Sequence, residues 1–265
     1  MQTCDTSSKI TPPPIDTLTV LVPFYNEKDY LPDMLESILK QTKKPDKILL
    51  IDNASTDNSA ELARQILDKQ DIPFEIIPEE KRGPVFGYEH GMADVQTELL
   101  MFANADTYYP PHYIQLAGEL FNENKDICCL LALDEDKLEK MLSFAGKHPK
   151  KCFAGAYGQI ARVKAMREAG GYSHKIWPYV LADHEFIHRM SKQGKLGYNK
   201  NLWNRTSSRR TSRKNVRWNL FERILYRNLP DCLMDWFFYK FLWKRFAKRN
   251  LYTKNLREQP WSKGK

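Results

Sequence analysis

The run TLTVLVPFY (17–25) is apolar at nearly every position and breaks at Pro23, a pattern that predicts a strand covered on both faces. The period then changes. In DYLPDMLESILKQ the residues Leu31, Met34, Leu35, Ile38 and Leu39 recur three and four apart, which gathers them on one side of a helix. DKILLID (46–52) repeats the buried-strand pattern, and NASTDNS behind it offers turn and N-cap chemistry for a helix in SAELARQILDKQ. FEIIP, a helical stretch around FGYEHGMADVQ, ELLMFA, the helix YIQLAGELFNEN and the strand ICCLLAL continue the alternation. Such alternation predicts an α/β domain, a doubly wound and mainly parallel sheet flanked by helices.

Ligands of such sheets sit beyond the carboxyl ends of the strands. Three polar segments fall there: PFYNE, DNASTDNS and NADT. The chain contains no G-x-G-x-x-G and no G-K-[ST], which removes the usual dinucleotide and P-loop readings. Acidic residues at successive strand ends instead suit a base, a ribose and a metal.

Charge divides the 265 residues unevenly. From Arg205 to Lys265 there are 17 Lys and Arg against 4 Asp and Glu, a balance of +13 that leaves residues 1–204 at −5 of the formal +8. An acidic body with a basic arm implies an anionic partner, and a solvated charged face is the plainer reading. Five cysteines without C-x-x-C spacing fit reduced thiols in a cytoplasmic setting. Residues 1–16 have no apolar signal core and read as a disordered tail. The expected organisation is that tail, a catalytic domain over 17–204, and a basic, aromatic, helical extension over 205–265.

Two patterns overlap in LADHEFIHRM (181–190). His184, Glu185 and His188 spell the zinc-protease motif H-E-x-x-H, which needs a third protein ligand. No histidine follows His188, and the next glutamate downstream is Glu222. The order of elements is also wrong for that class. In the competing pattern Asp183 is a catalytic base at a helix start, the histidines are incidental, and Glu185 and Arg189 form an i,i+4 pair.

VLVPFYNEKDYLPDMLESILKQT, ILLIDNASTDNSAELA, ELLMFANADTYYPPHYI, GGYSHKIWPYVLADHEFIHRMSKQGKLGY and TSSRR (206–210) occur in that order. Together, over roughly residues 18–212, they resemble a family 2 glycosyltransferase of the GT-A fold. The resemblance implies an inverting, metal-assisted transfer of a sugar from a nucleotide sugar to a saccharide or lipid-linked acceptor. It places Pro23, Tyr25, Glu27 and Asp52 around the nucleotide, with Asp52 suited to the N3–H of uracil or thymine, hence a UDP- or TDP-sugar. It places Asn104 and Asp106 at the D-x-D position, with Asp106 the ligand of Mn²⁺ or Mg²⁺. Asp183 takes the base position, and Arg209 and Arg210 approach the diphosphate.

This chain departs from the pattern at three places. Asn104 replaces a carboxylate, Ala182 stands where an acidic residue often precedes the base, and Gly87, Tyr88 and Glu89 replace a frequent Ala-Arg-Asn. Asn104 and Ala182 keep open a catalytically inactive GT-A domain that only binds, and a nucleotidyltransferase on a related fold is the other enzyme reading.

Three further positions carry two readings each. Asp57 is a nucleotide contact or a helix cap. Trp177 and Tyr179 stack on the acceptor sugar or belong to the core. LMDWFFYKFLWKRFAKRN (233–250) either lies in a membrane interface through Trp236, Phe237, Phe241 and Trp243, or docks on the body and exposes its cations. The first alternative is the expectation, and with it peripheral attachment to the cytoplasmic face of a membrane. No nucleic-acid motif accompanies the basic arm, and no nucleic-acid partner is expected.

Overall fold

The computed structural model describes residues 17–153, 157–207 and 218–258, so the expected tail over 1–16 lies outside them. The chain alternates through β1 (Leu18–Phe24), α1 (Leu31–Leu39), β2 (Lys47–Asp52), α2 (Ser59–Leu67), β3 (Phe74–Pro78), α3 (Pro84–Met92) and β4 (Leu99–Phe102). The unbroken apolar runs are explained by two cores. Val20 and Val22 of β1, Ile48 and Leu50 of β2, and Met101 of β4 join a core on one face of the sheet. Their neighbours Leu21, Leu49, Ile51 and Leu100 join a second core on the other.

Helix α1 lays Leu31, Met34, Leu35 and Ile38 on the first core, while Leu39 is only partly buried. Helix α3 presses on the second, so closely that a Cβ at Gly91 would stand 2.2 Å from Leu21 Cδ1 and one at Gly87 2.7 Å from Pro23 Cβ. Glycine at these two positions is a condition of the packing.

The second half runs β5 (Thr107–Tyr108), α4 (Tyr113–Glu123), β6 (Ile127–Leu130), β7 (Leu133–Asp134) and α5 (Leu138–Lys147). It continues through β8 (Gln159–Arg162), α6 (Val163–Glu168), α7 (Ala182–Met190), β9 (Lys195–Gly197), β10 (Trp203–Thr206) and α8 (Leu220–Asn228). The expected strand ICCLLAL is divided between β6 and β7.

The large sheet has the order β3-β2-β1-β4-β8-β6-β9. Its pairs are parallel except where β8 inserts antiparallel between β4 and β6. Successive strands step outward from β1 to β3, and the chain then returns to place β4 on the other side of β1. That reversal opens a crevice at the carboxyl ends of β1, β2 and β4. A small sheet, β5-β10-β7, stands beside it. The expected boundary at 204/205 falls inside β10.

Beyond α8 a helix runs from Met234–Trp236 through a π-wound segment, Phe237–Leu242, into Trp243–Lys248. Phe237, Phe238, Leu242 and Phe246 are wholly buried, in one cluster with Trp177, Tyr179 and Tyr226. Of the four aromatics expected to face lipid, Phe237 is therefore in the core, Phe241 and Trp243 are partly buried, and Trp236 is 46% exposed. Most of the aromatic stripe holds this helix to the body. No helix among the described residues is long and apolar enough to cross a membrane.

Candidate active site

The loop after β1 is tied to the loop after β2 by side chains that satisfy backbone N–H groups. Asn26, at φ 52°, donates its N–H to Ser55 Oγ (3.0 Å), and its Oδ1 accepts from the Thr56 N–H (2.8 Å). The Glu27 N–H donates to Ser59 Oγ (2.8 Å) and the Lys28 N–H to Asp57 Oδ2 (3.1 Å). Asp57 also accepts from the hydroxyl and the N–H of Ser59. Burial pushes the Asp57 carboxyl up, but these hydrogen bonds outweigh it and hold the group below its ordinary value. Asp57 thus ties the two loops and holds the first N–H of α2, while the cap position itself is Asn58, whose side chain makes no capping bond.

Asp52 accepts from the Ser55 N–H (2.9 Å) and lines a cavity of about 390 Å³ with Ser55, Thr56, Asn58 and Arg64. Pro23 lies under Gly87, and Tyr25 and Glu27 are half-buried at the crevice. Asn53 escaped the sequence reading. Its amide donates to the carbonyl of Lys81 (2.6 Å) and accepts from the Gly83 N–H (2.9 Å), which fixes the loop leading into α3.

On the other side of β1, the N–H of Asn104 donates to Tyr109 (3.1 Å), and its Oδ1 accepts from the Tyr88 hydroxyl (3.1 Å). Two departures from the family pattern therefore meet: a neutral phenol on α3 bonds a neutral amide at the D-x-D position. Asp106 is 5% exposed, and its Oδ2 accepts from the hydroxyl of Ser207 (3.1 Å), which β10 carries in. Among the described residues no three His, Cys, Asp or Glu side chains gather around one point. One carboxylate and one amide oxygen are hard donors, suited to an Mg²⁺ or Mn²⁺ ion that takes most of its ligands from substrate phosphates and water. Arg209 and Arg210 lie outside the described residues.

Helix α7 begins with Leu181 in the left-handed region at φ 59°, a costly conformation for a branched residue and one that tends to occur at functional sites. Asp183 follows in the first turn. Its Oδ1 accepts from the His184 N–H (2.9 Å) and lies 3.0 Å from His184 Nδ1, which donates in the Nδ1–H tautomer. Burial alone would raise the Asp183 carboxyl, but the charge and hydrogen bonds of His184 bring it below its ordinary value. His184 is itself packed edge-on against Trp218 at 4.9 Å. His184, expected to be incidental, is here a hydrogen-bond partner of Asp183.

The rest of the H-E-x-x-H pattern is engaged elsewhere. Glu185 takes a two-pronged bond from Arg189 (2.7 and 2.9 Å) and another from the Tyr239 hydroxyl, as the expected i,i+4 pair with an added partner. His188 Nε2 meets Asp235 at 2.7 Å, and Lys192 bonds the same oxygen at 2.6 Å. Burial lowers His188 below its ordinary value, against the hydrogen bond and charge of Asp235. Each of the three side chains faces a different partner.

A stack of rings relates α7 to the D-x-D strand. Tyr172 packs on Tyr88 at 4.7 Å and on Phe186 at 4.4 Å, and Phe186 meets Phe102 of β4 at 5.5 Å. Burial pushes the Tyr172 phenol well up, and the neighbouring Tyr88 and Asp183 add to it. Trp177 and Tyr179, by contrast, are each 1% exposed inside the aromatic cluster, and the Trp177 indole donates to the Val180 carbonyl. Neither ring offers a face to an acceptor sugar, and the stacking expectation gives way to the core alternative.

Residues 19–137 match the profile of Glycosyl transferase family 2. An uncharacterized glycosyltransferase of Nostoc sp. (strain PCC 7120) is 27% identical over 117 residues, 44% of this chain and 36% of that protein. An undecaprenyl-phosphate 4-deoxy-4-formamido-L-arabinose transferase of Pseudomonas fluorescens is 31% identical over 107 residues, 39% of this chain and 32% of the relative. The chain spans about a third of the length of these two relatives. Among solved structures, the mannosyltransferase PcManGT from Pyrobaculum calidifontis, in complex with GDP-Man and Mn²⁺, gives a TM-score of 0.64 at 16% identity, covering 79% of this chain and 62% of that one. S. aureus TarS 1-349 in complex with UDP-GlcNAc gives 0.62 at 16%, covering 87% and 73%. These likenesses show the GT-A fold that the motif order implies.

Proposed function

Because this chain carries a glycosyl transferase family 2 domain over residues 19–137, we propose that it is an inverting glycosyltransferase that moves a sugar from a nucleotide sugar to a saccharide or lipid-linked acceptor. The observation that carries the reading is Asp183. It is a carboxylate held ionised by His184 at the start of α7, and Tyr172 and Phe186 join that helix to the strand ending in Asn104 and Asp106. The lipid-linked option draws on relatives named as undecaprenyl-phosphate transferases, and the nucleotide sugar on neighbours bound to GDP-Man and UDP-GlcNAc.

In this reading Asp52 and the strapped loops seat the base and ribose of the donor, with a UDP- or TDP-sugar favoured. Asn104 and Asp106 lie at its diphosphate. Asp106 and the phosphates would hold a divalent cation, Mn²⁺ or Mg²⁺, which offsets the charge of the departing nucleoside diphosphate. Asp183 accepts the proton of the acceptor hydroxyl as its oxygen attacks the anomeric carbon. The glycosidic bond forms as the bond to the diphosphate breaks, and the configuration inverts. A positioned base of this kind is worth about 10²–10⁴ in rate. The reaction takes place on a protein attached peripherally to the cytoplasmic face of a membrane by its basic C-terminal extension, beyond the catalytic domain.

The test is a melting-temperature screen of the full chain with UDP, GDP, TDP and CMP, with and without Mn²⁺. A shift of several degrees with one nucleotide, only when metal is present, is expected. No shift with any nucleotide overturns the reading. A shift without transfer to any acceptor favours the binding module.

A further inference from the structure

We propose that the outer face of α8, together with Trp236, is the surface that enters the interface of an anionic phospholipid membrane. The proposal rests on the reading of peripheral attachment and assigns it to a different face from the aromatic stripe, most of which is in the core.

Helix α8 cannot turn its apolar residues inward. Asn219 and Glu222 form a capping box at its start, and the Glu222 carboxylate, wholly buried, accepts from Arg245 (2.7 Å) and Arg249 (2.6 Å). Tyr226, one turn on, is buried against Cys152. With that face pinned, Leu220, Phe221 and Ile224 stand 70%, 59% and 51% exposed. The patch continues across the arm. Phe221 meets Phe241 at 6.2 Å, and Phe241 stacks on Trp236 at 5.4 Å. Six large hydrophobic residues are exposed among the described residues; Leu220, Phe221, Ile224, Leu233 and Trp236 are in α8 and the arm, and Tyr108 is elsewhere. Isolated exposed apolar residues are ordinary, but a joined set of this kind marks a binding surface.

Charge selects the partner. Arg227, exposed, and Arg223, half-buried, follow Ile224 and Leu220 by three residues each on α8, at helical spacing. Lys240 and Lys244 are exposed on the arm helix, and the Arg245 guanidinium lies 5.3 Å over the Phe241 ring. The acidic groups nearby are Asp231, Asp235, which Lys192 and His188 already engage, and the buried Glu222. Aliphatic and aromatic tips among cations are what an anionic bilayer surface accepts. The patch also adjoins the base: Trp218, two residues before Leu220, packs on His184, the partner of Asp183. A lipid-linked acceptor held at this surface would be presented next to the carboxylate that deprotonates it.

The experiment is co-sedimentation of the full chain with phosphatidylcholine vesicles, with and without phosphatidylglycerol. The parent should bind only the anionic vesicles. Combining Leu220→Ser, Phe221→Ser, Ile224→Ser and Trp236→Ser should lower binding at least ~10-fold while leaving the lipid-free melting temperature nearly unchanged. Arg223→Gln with Arg227→Gln and Lys240→Gln should weaken the preference for phosphatidylglycerol. If the parent binds no vesicles, peripheral attachment and this surface both fail. If the parent binds and the fourfold variant binds equally, attachment stands and this surface is wrong. A variant that instead turns an oligomer into a monomer in sedimentation velocity, with vesicle binding intact, makes the patch a contact between copies of the chain. The nucleotide-dependent melting shift, measured without lipid, reports on the donor site separately.

Discussion

On the donor side of the crevice, Asn26, Asp52, Ser55, Asp57 and Ser59 hold backbone N–H groups or one another across two neighbouring strand ends. On the base side, α7 is held by Trp218, Asp235 and Tyr239, which arrive from a segment beyond the family-matched region. The first arrangement is polar and confined to two neighbouring strand ends, whereas the second joins charged pairs to a large aromatic cluster. Damage to the arm should therefore reach Asp183 while nucleotide binding persists, and damage to the strand-end loops should do the reverse.

The largest expected effect is on the arm's aromatic core. Phe246 is wholly buried against Trp177 and Tyr179, at ring distances of 5.8 and 6.1 Å, so Phe246→Ala should destabilise the protein by about 3–5 kcal/mol in urea unfolding. A loss near zero would mean the arm does not clamp α7. Breaking the charge cluster is the next step down. Glu222→Gln keeps the shape but leaves Arg245 and Arg249 without their carboxylate, and a loss of about 2–3 kcal/mol is expected from a melting curve.

The third effect is on pH rather than stability. His184 brings Asp183 below its ordinary value against the pull of burial. Proton acceptance is present above the folded pKa of Asp183 and lost as pH falls through it, so the acid limb of kcat/KM should lie below the ordinary carboxylate range. His184→Ala removes the imidazole's charge and hydrogen bond and keeps only the backbone N–H bonds against burial, so the limb should move up, with KM for the donor little changed. An unmoved limb would remove His184 from the base's surroundings. The smallest effect belongs to the donor side. Asp57→Ala should cost about 1 kcal/mol above pH 5 and weaken nucleotide binding without moving that limb. Because the folded pKa of Asp57 is depressed, its stabilisation is present above the unfolded value and disappears as pH falls through the folded one.

The same contrast explains what could be read before any coordinates. The strands through β4 and the polar loops after them were legible because period and turn chemistry lie within a few residues of one another. The place of Asp183 in the first turn of a helix was legible for the same reason. Strand β8 was not, since QIAR is too short for its alternation to stand out and its pairing with β4 spans some 60 residues. His184 reads as incidental once zinc is set aside, and its bond to Asp183 is visible only in the fold, although the adjacency of the two residues was the available signal. Trp177 and Tyr179 carry no local mark distinguishing a stacking platform from a core aromatic, and only the arrival of Phe238, Trp243 and Phe246 decides between them. The bond between Tyr88 and Asn104 links two departures that look unrelated in the linear sequence.

The most direct test of the central claim compares Asp183→Asn with the parent in two assays, nucleotide-sugar binding in the presence of Mn²⁺ and sugar transfer to acceptor. The amide keeps an acceptor oxygen for His184 but cannot take the acceptor's proton. Binding should stay within about twofold while transfer falls by about 10²–10⁴. Transfer at the parental rate would contradict the assignment of Asp183 as the base.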